Sequence, residues 1–295
     1  MSKKDSRPIS RRHLLGVAAG TCLGAGLTAC VSRGSQTPAE TAAPPASPDA
    51  PQSSTSPTPP PPPPTPQEMV ADLHGRAPAA WGLDIAGIET HVRTTPGVRT
   101  LALTFDACGG PHGSGVDHTL LDALRSTQTP ATLFINQRWV KANPELTREL
   151  VADPLFSIQN HGTSHKPLSV TGQAAYGIAG TESLDAALEE VVGNRDLLQS
   201  EYGNHCTWFR SGTAHYDDVA IEMCRRIGVR IAGFATNMDG GATFTQQQVT
   251  SNLMSAPDGA ILIAHMNQPS AGTGAGVAAA LGPLHAQGVR FVHLG

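Results

Sequence analysis

From Thr100 onward the chain alternates two periodicities. Short apolar runs predict strands over Thr100–Asp106, Ala131–Trp139, Phe156–His161, Cys206–Ser211, Arg230–Thr236, Ala260–His265 and Arg290–Leu294. Between them, apolar residues recur three and four apart. That spacing predicts helices around 116–126, 143–152, 180–201, 216–228, 245–255 and 274–287. Strand, helix, strand in repetition is the pattern of a parallel sheet with covered faces. Seven strands fall short of the eight of a complete barrel. The expected class is therefore α/β, a distorted seven-stranded parallel (β/α) barrel.

The first part of the chain has neither periodicity. Ser10-Arg11-Arg12-His13-Leu14-Leu15 reads as a twin-arginine export signal, and the Gly- and Ala-rich segment from Leu14 to Ala29 is too short to span a membrane comfortably. It ends in Leu27-Thr28-Ala29-Cys30, which resembles a bacterial lipobox, so residues 1–30 are expected to be a lipoprotein signal with Cys30 as the acylated residue. Residues 31–66 hold 13 of the 24 prolines, including the run Pro59 to Pro64, and cannot bury a core. They read as a disordered spacer favouring polyproline II. Residues 67–97 read as an N-terminal extension of the domain at 98–295. The expected location follows: exported by the twin-arginine route and lipid-anchored to the outer face of the cell membrane.

Charge and cysteine usage narrow the partners. Residues 67–295 carry 14 basic and 21 acidic side chains, a balance of -7, with no basic stripe, which argues against nucleic acid. Cys108, Cys206 and Cys224 fall in this part. Cys224 lies on an apolar helical face and reads as a buried thiol. Cys108 and Cys206 could pair in an oxidising compartment, but Cys206 opens its strand, at the opposite end from Arg210, which opposes pairing. Trp81, Trp139 and Trp208 are candidates for stacking a sugar, with core packing as the alternative for at least two.

Polar residues gather where the predicted strands end. Asp106 closes the first strand, His161 the third, Arg210 the fourth and His265 the sixth, while Asn237 and Asp239 follow the fifth. Each has an ordinary reading alone: a cap, an ion pair, a core histidine. Together they would meet on the rim where parallel α/β folds place their chemistry. His161 and His165, four residues apart just past a strand, could bind one metal ion.

These residues carry a resemblance. Leu103-Thr104-Phe105-Asp106, His161-Gly162-Thr163-Ser164-His165, Phe209-Arg210-Ser211-Gly212, Asn237-Met238-Asp239 and Ile261-Leu262-Ile263-Ala264-His265 are together similar to the motifs of the polysaccharide deacetylases, the NodB-homology domain of carbohydrate esterase family 4. The resemblance implies a divalent metal, with Zn2+ the default, on His161 and His165. It implies Asp106 as general base held ionised by Arg210, His265 as the acid kept cationic by Asp239, and Ile263 beside the acetyl methyl. The substrate would be an N-acetylated polysaccharide.

One departure matters. The family's first motif continues with a second Asp, the third metal ligand, and here that place is Ala107, within Thr-Phe-Asp-Ala-Cys-Gly-Gly. Asp106 as ligand as well as base, His112, Asp117, Cys108 or water are the substitutes the sequence offers. The expectation is an exported, metal-dependent hydrolase acting on carbon–nitrogen bonds of an envelope polysaccharide. A catalytically silent glycan-binding lipoprotein and an amidohydrolase acting on a small amide stand as alternatives.

Overall fold

The computed structural model of the protein describes residues 62–295. The expected signal peptide, Cys30 and nearly all of the Pro-rich spacer lie outside these residues.

The core is a nine-stranded sheet in which every pairing is parallel. The strand Thr100–Ala107 sits at its centre, fully buried along its length, between Ala131–Ile135 and Ile261–His265. Phe156–Asn160, Trp208–Phe209 and Arg230–Ala232 follow on one side. Thr236–Asn237 lies beyond Ile261–His265 on the other. Arg290–Phe291 pairs with the start of the central strand. Alternation sorts its side chains into two sets. Leu101, Leu103, Phe105 and Ala107 join the large apolar cluster with the helices, while Thr104 and Asp106 meet Arg210 on the other face.

The expected strand Arg230–Thr236 is in fact two. Arg230–Ala232 pairs at one end of the sheet and Thr236–Asn237 at the other, so four residues after Ala232 the same stretch of chain has changed edges and curls the sheet into a distorted barrel. The break falls at Gly233, where a side chain would collide with Ile88. The carbonyls freed there are taken by the guanidinium of Arg210, at 3.2 Å to Ala232 O and 2.9 Å to Gly233 O. The strand expected over Ala131–Trp139 stops at Ile135. Asn136 caps the next helix, Gln137–Ala142, by accepting from Arg138 N at 3.0 Å, and Trp139 is therefore helical and buried. The strand from Cys206 likewise shrinks to Trp208–Phe209.

The helices at His118–Ser126, Pro144–Ala152, Leu184–Tyr202, Asp218–Arg226, Gln246–Ser255 and Thr273–Ala286 lie within a few residues of their expected bounds. The residues before Thr100 pack onto this body. Trp81–Gly82 pairs antiparallel with Tyr216–Asp217, and Ile88–Glu89 extends the sheet beside Arg230–Ala232.

Candidate active site

Sheet register places the chemistry. Asp106 stands directly across from His265, and Asn160, one residue before His161, stands across from Phe209, one residue before Arg210. Asp106, His161, Arg210 and His265 thus all leave the sheet at its C-terminal end.

Arg210 is fully buried and donates from Nη1 to Asp106 Oδ1 and to Thr104 Oγ1, both at 2.8 Å. Its guanidinium lies over the Phe134 ring at 4.4 Å. Burial disfavours the Asp106 carboxylate, yet the charge of Arg210, followed by His161 and His265, holds its pKa below the ordinary value. His265 has the opposite balance. Burial would lower its pKa, but the hydrogen bond to Asp239 and the proximity of Cys108 carry it well above the ordinary value. Asp239, itself buried, accepts from His265 Nδ1 at 3.1 Å, from the His265 backbone at 2.7 Å and from Thr273 Oγ1 at 2.9 Å. The site therefore holds a carboxylate kept ionised and an imidazole kept cationic. Both border a cavity of ≈ 370 Å³ whose wall includes Ile263 and Gly212.

His161 and His165 meet edge to face, ring centroids 5.0 Å apart. The Arg210 carbonyl accepts from His161 Nδ1 at 2.8 Å, which leaves the Nε2 lone pair facing the site. His165 Nε2 is buried with no hydrogen-bond partner, a costly arrangement that a metal ion would relieve. Cys108 joins the two histidines, and their donor atoms all lie within 4.8 Å of one another. This donor set fits a divalent metal. Asp106 Oδ2 approaches His161 Nε2 at 3.7 Å, but Asp106 is not part of that group.

Residues 93–232 match the family model of the polysaccharide deacetylases. This stretch of the folded domain belongs to the polysaccharide deacetylase family. Among solved structures it is similar to PdaA of Bacillus subtilis, a family 4 carbohydrate esterase, with 19% identity over 70% of this chain and 82% of that one and a TM-score of 0.58. It is also similar to the peptidoglycan deacetylase PdaC of Bacillus subtilis, at 21% identity over 68% and 90% with a TM-score of 0.54. A third is BA3943 of Bacillus anthracis, described as a pseudoenzyme of the same esterase family. There the identity is 18%, the coverage 68% of this chain and 65% of that chain, and the TM-score 0.56. This chain thus spans about two thirds of BA3943. At these identities the likeness is one of fold.

Within this deacetylase domain, two of the substitutes for the second Asp are accounted for. Asp117 caps the His118–Ser126 helix, accepting from Leu120 N at 3.0 Å and Gly274 N at 2.9 Å. His112 is exposed on the Gly-rich loop. Cys108, Cys206 and Cys224 are all free thiols, so the Cys108–Cys206 pairing is absent. Cys206 bonds within its own end of the barrel, to Ile158 O at 3.7 Å.

Sequence reasoning missed Glu190. It is buried in the Leu184–Tyr202 helix, where it accepts from Thr163 Oγ1 at 2.6 Å, Ser164 N at 2.9 Å and Lys166 N at 3.3 Å. It grips the loop that carries His161 and His165. Asn194, one turn on, donates to Asn160 Oδ1 and Ile135 O, both at 2.8 Å. The signal was two polar residues four apart on the apolar face of a helix. Sequence reasoning also missed Tyr176. Tyr176 and Gly177, both at positive φ, form the turn closed by the Ala175–Ile178 bridge. The Tyr176 ring is 77% exposed at the cavity wall and rests edge-on against His215 at 5.1 Å. Of the three tryptophans considered for sugar stacking, Trp139 and Trp208 are buried; Trp81, half-buried, lies 5.7 Å from His215.

Proposed function

We propose that this protein is an exported, metal-dependent deacetylase that hydrolyses N-acetyl groups of an envelope or extracellular polysaccharide. The observation that carries the reading is the pairing of opposed acid and base: Asp106 held ionised by Arg210, and His265 held cationic by Asp239, on one cavity beside two convergent imidazoles.

A divalent metal held by His161 and His165 would supply Lewis acidity toward the acetamide carbonyl and its attacking water. The chain's own residues do the rest. Asp106 takes the proton of that water as it adds to the carbonyl carbon. Arg210 keeps the carboxylate ionised and aimed, with its own charge anchored on two backbone carbonyls. As the carbon–nitrogen bond breaks, His265 gives its proton to the leaving amine, and Asp239 stabilises the imidazolium until then. Products are acetate and a free amine on the sugar. Ile263, 7% exposed in the cavity wall, offers an apolar surface for the acetyl methyl. The same reading takes residues 1–30 as the export signal and Cys30 as the lipid-bearing residue. Processed Cys30→Ser protein remaining in the membrane fraction would overturn that part.

Acetate release from N-acetylated glycans by the purified full chain, with and without chelator, tests the activity. Asp106→Asn should keep its metal and lose about 10²-fold or more in rate. His161→Ala should lose metal and activity together. Intact activity in both variants would remove the site from consideration. Ala107, where the family has a carboxylate ligand, favours the second reading, a silent glycan-binding protein. A metal-loaded chain that binds glycan and releases no acetate would establish that reading instead.

A further inference from the structure

We propose that Cys108 is the third protein ligand of the metal site, so that a thiolate replaces the carboxylate this domain lacks. The proposal rests on the metal-dependent reading above. Its first support is geometric. Cys108 Sγ lies 3.8 Å from His161 Nε2, and the donors of Cys108, His161 and His165 form the one three-residue group of this kind among the described residues. With metal–sulfur and metal–nitrogen distances of about 2.3 and 2.05 Å, two ligands at a tetrahedral angle stand about 3.6 Å apart.

The second support concerns the other candidates. Asp117 is held by two backbone N–H groups, and the side chain of Ala107 is in the apolar cluster on the opposite face. Asp106 gives Oδ1 to Arg210, and although its Oδ2 lies 3.7 Å from His161 Nε2, it falls outside the three-donor group. The third is that the fold fixes Cys108 in place. Arg138 Nη2 donates to its carbonyl at 2.9 Å. The next residue, Gly109, sits at φ +66° with its α-carbon against the backbone of Arg138 and Trp139, where any side chain would collide. Gly109 N then donates to Gly113 O at 2.9 Å, closing the loop. A cysteine merely tolerated in a mobile loop would not need such anchoring.

Two imidazoles and one thiolate leave a fourth position open, which a hydrolytic site requires. The donor set also selects the metal. A thiolate favours zinc or cobalt over magnesium or calcium, which take oxygen ligands.

Two measurements on the full chain test this without reading activity. Cobalt(II) in the metal-free protein should give a thiolate-to-metal charge-transfer band that Cys108→Ser abolishes, and that variant should bind zinc about 100-fold or more weakly. In the unmutated protein, alkylation mapped by peptide mass spectrometry should mark Cys108, which among the described residues is the one partly exposed thiol beside buried Cys206 and Cys224, and zinc should protect it. This second measurement does not depend on how the variant folds. Unchanged zinc affinity in Cys108→Ser, with no protection of Cys108, would overturn the thiolate ligand. If His161→Ala still lost zinc, the metal reading would survive that failure. A full chain that takes up neither zinc nor cobalt would overturn both.

Discussion

Glu190→Gln separates the support of the histidine loop from the histidines themselves. The carboxylate accepts from one hydroxyl and from two backbone N–H groups, those of Ser164 and Lys166. Gly162 has no side chain because one would strike the Glu190 carboxylate, so the loop is seated directly on it. His165 stands at φ +62°, a conformation that costs on the order of 1–3 kcal/mol in a residue other than glycine and persists only where the surroundings hold it. A hydrogen bond to a charged group contributes about 1.5–3 kcal/mol. The three bonds share one loop and are not additive, so the neutral amide should cost roughly 2–4 kcal/mol of stability. Relaxation of His165 should weaken zinc binding by about 10- to 100-fold. Urea unfolding of the metal-free chain reads the first quantity and a zinc competition titration the second. A glutamine variant within about 0.5 kcal/mol of the parent, with unchanged zinc affinity, would refute the clamp.

Other perturbations address the acid, the rim and the core. Asp239→Asn removes the first of the two groups, Asp239 and Cys108, that raise the His265 pKa. The proton of His265 stabilises the fold below the ordinary histidine value of about 6.5 and that stability is lost as pH rises through the raised value; in the variant, both this loss and the alkaline fall in deacetylation should move to lower pH, and an alkaline limb that stays in place would count against His265 as the acid. Tyr176→Ala should raise KM on a glycan oligomer by about 10-fold while leaving kcat on a short acetamide unchanged, and equal KM values would exclude Tyr176 from substrate binding. Ala107→Asp, which restores the family's motif, should not tighten zinc binding, because it buries a carboxylate among Phe105, Leu133 and Trp139; it should lower stability by about 2 kcal/mol or more, and a variant as stable as the parent with tighter zinc binding would show that the side chain reaches the site.

The strand ends were legible because a parallel sheet imposes a simple rule. Apolar runs mark strands, and a polar residue closing a run marks the rim, so Asp106, His161, Arg210 and His265 could be named from the sequence. What was not legible depends on contacts far apart in the chain. The stretch Arg230–Thr236 reads as one strand because Ile231, Phe234 and Thr236 favour extension on both sides of Gly233; Ile88 pressing on Gly233 and Arg210 drawing on the carbonyls at the break divide it. Ala131–Trp139 reads as continuous because Asn136 is a weak mark until it is seen to cap a helix. Glu190 is hidden for another reason. Glu190 and Asn194 stand four apart on the apolar face of their helix, but an acidic residue on a helix usually faces water, and the partners of Glu190 24 to 27 residues earlier have no pattern linking them to it.

The thiolate proposal follows from strand parity. Along Thr100–Ala107 the side chains alternate, so the residue next to Asp106 must point away from Arg210 and into the helix-facing core. A carboxylate at Ala107 could reach the metal only where the strand has already ended and the backbone has turned. In this chain the strand runs through Ala107, paired with Ile135, and the side chain stays in the core. The turn comes two residues later, at Gly109 and Gly110, both at positive φ. The first position free to face His161 and His165 is then Cys108. Cys108 thus keeps the parity of Thr104 and Asp106, and it can present a donor to the two histidines where Ala107, turned into the core, cannot.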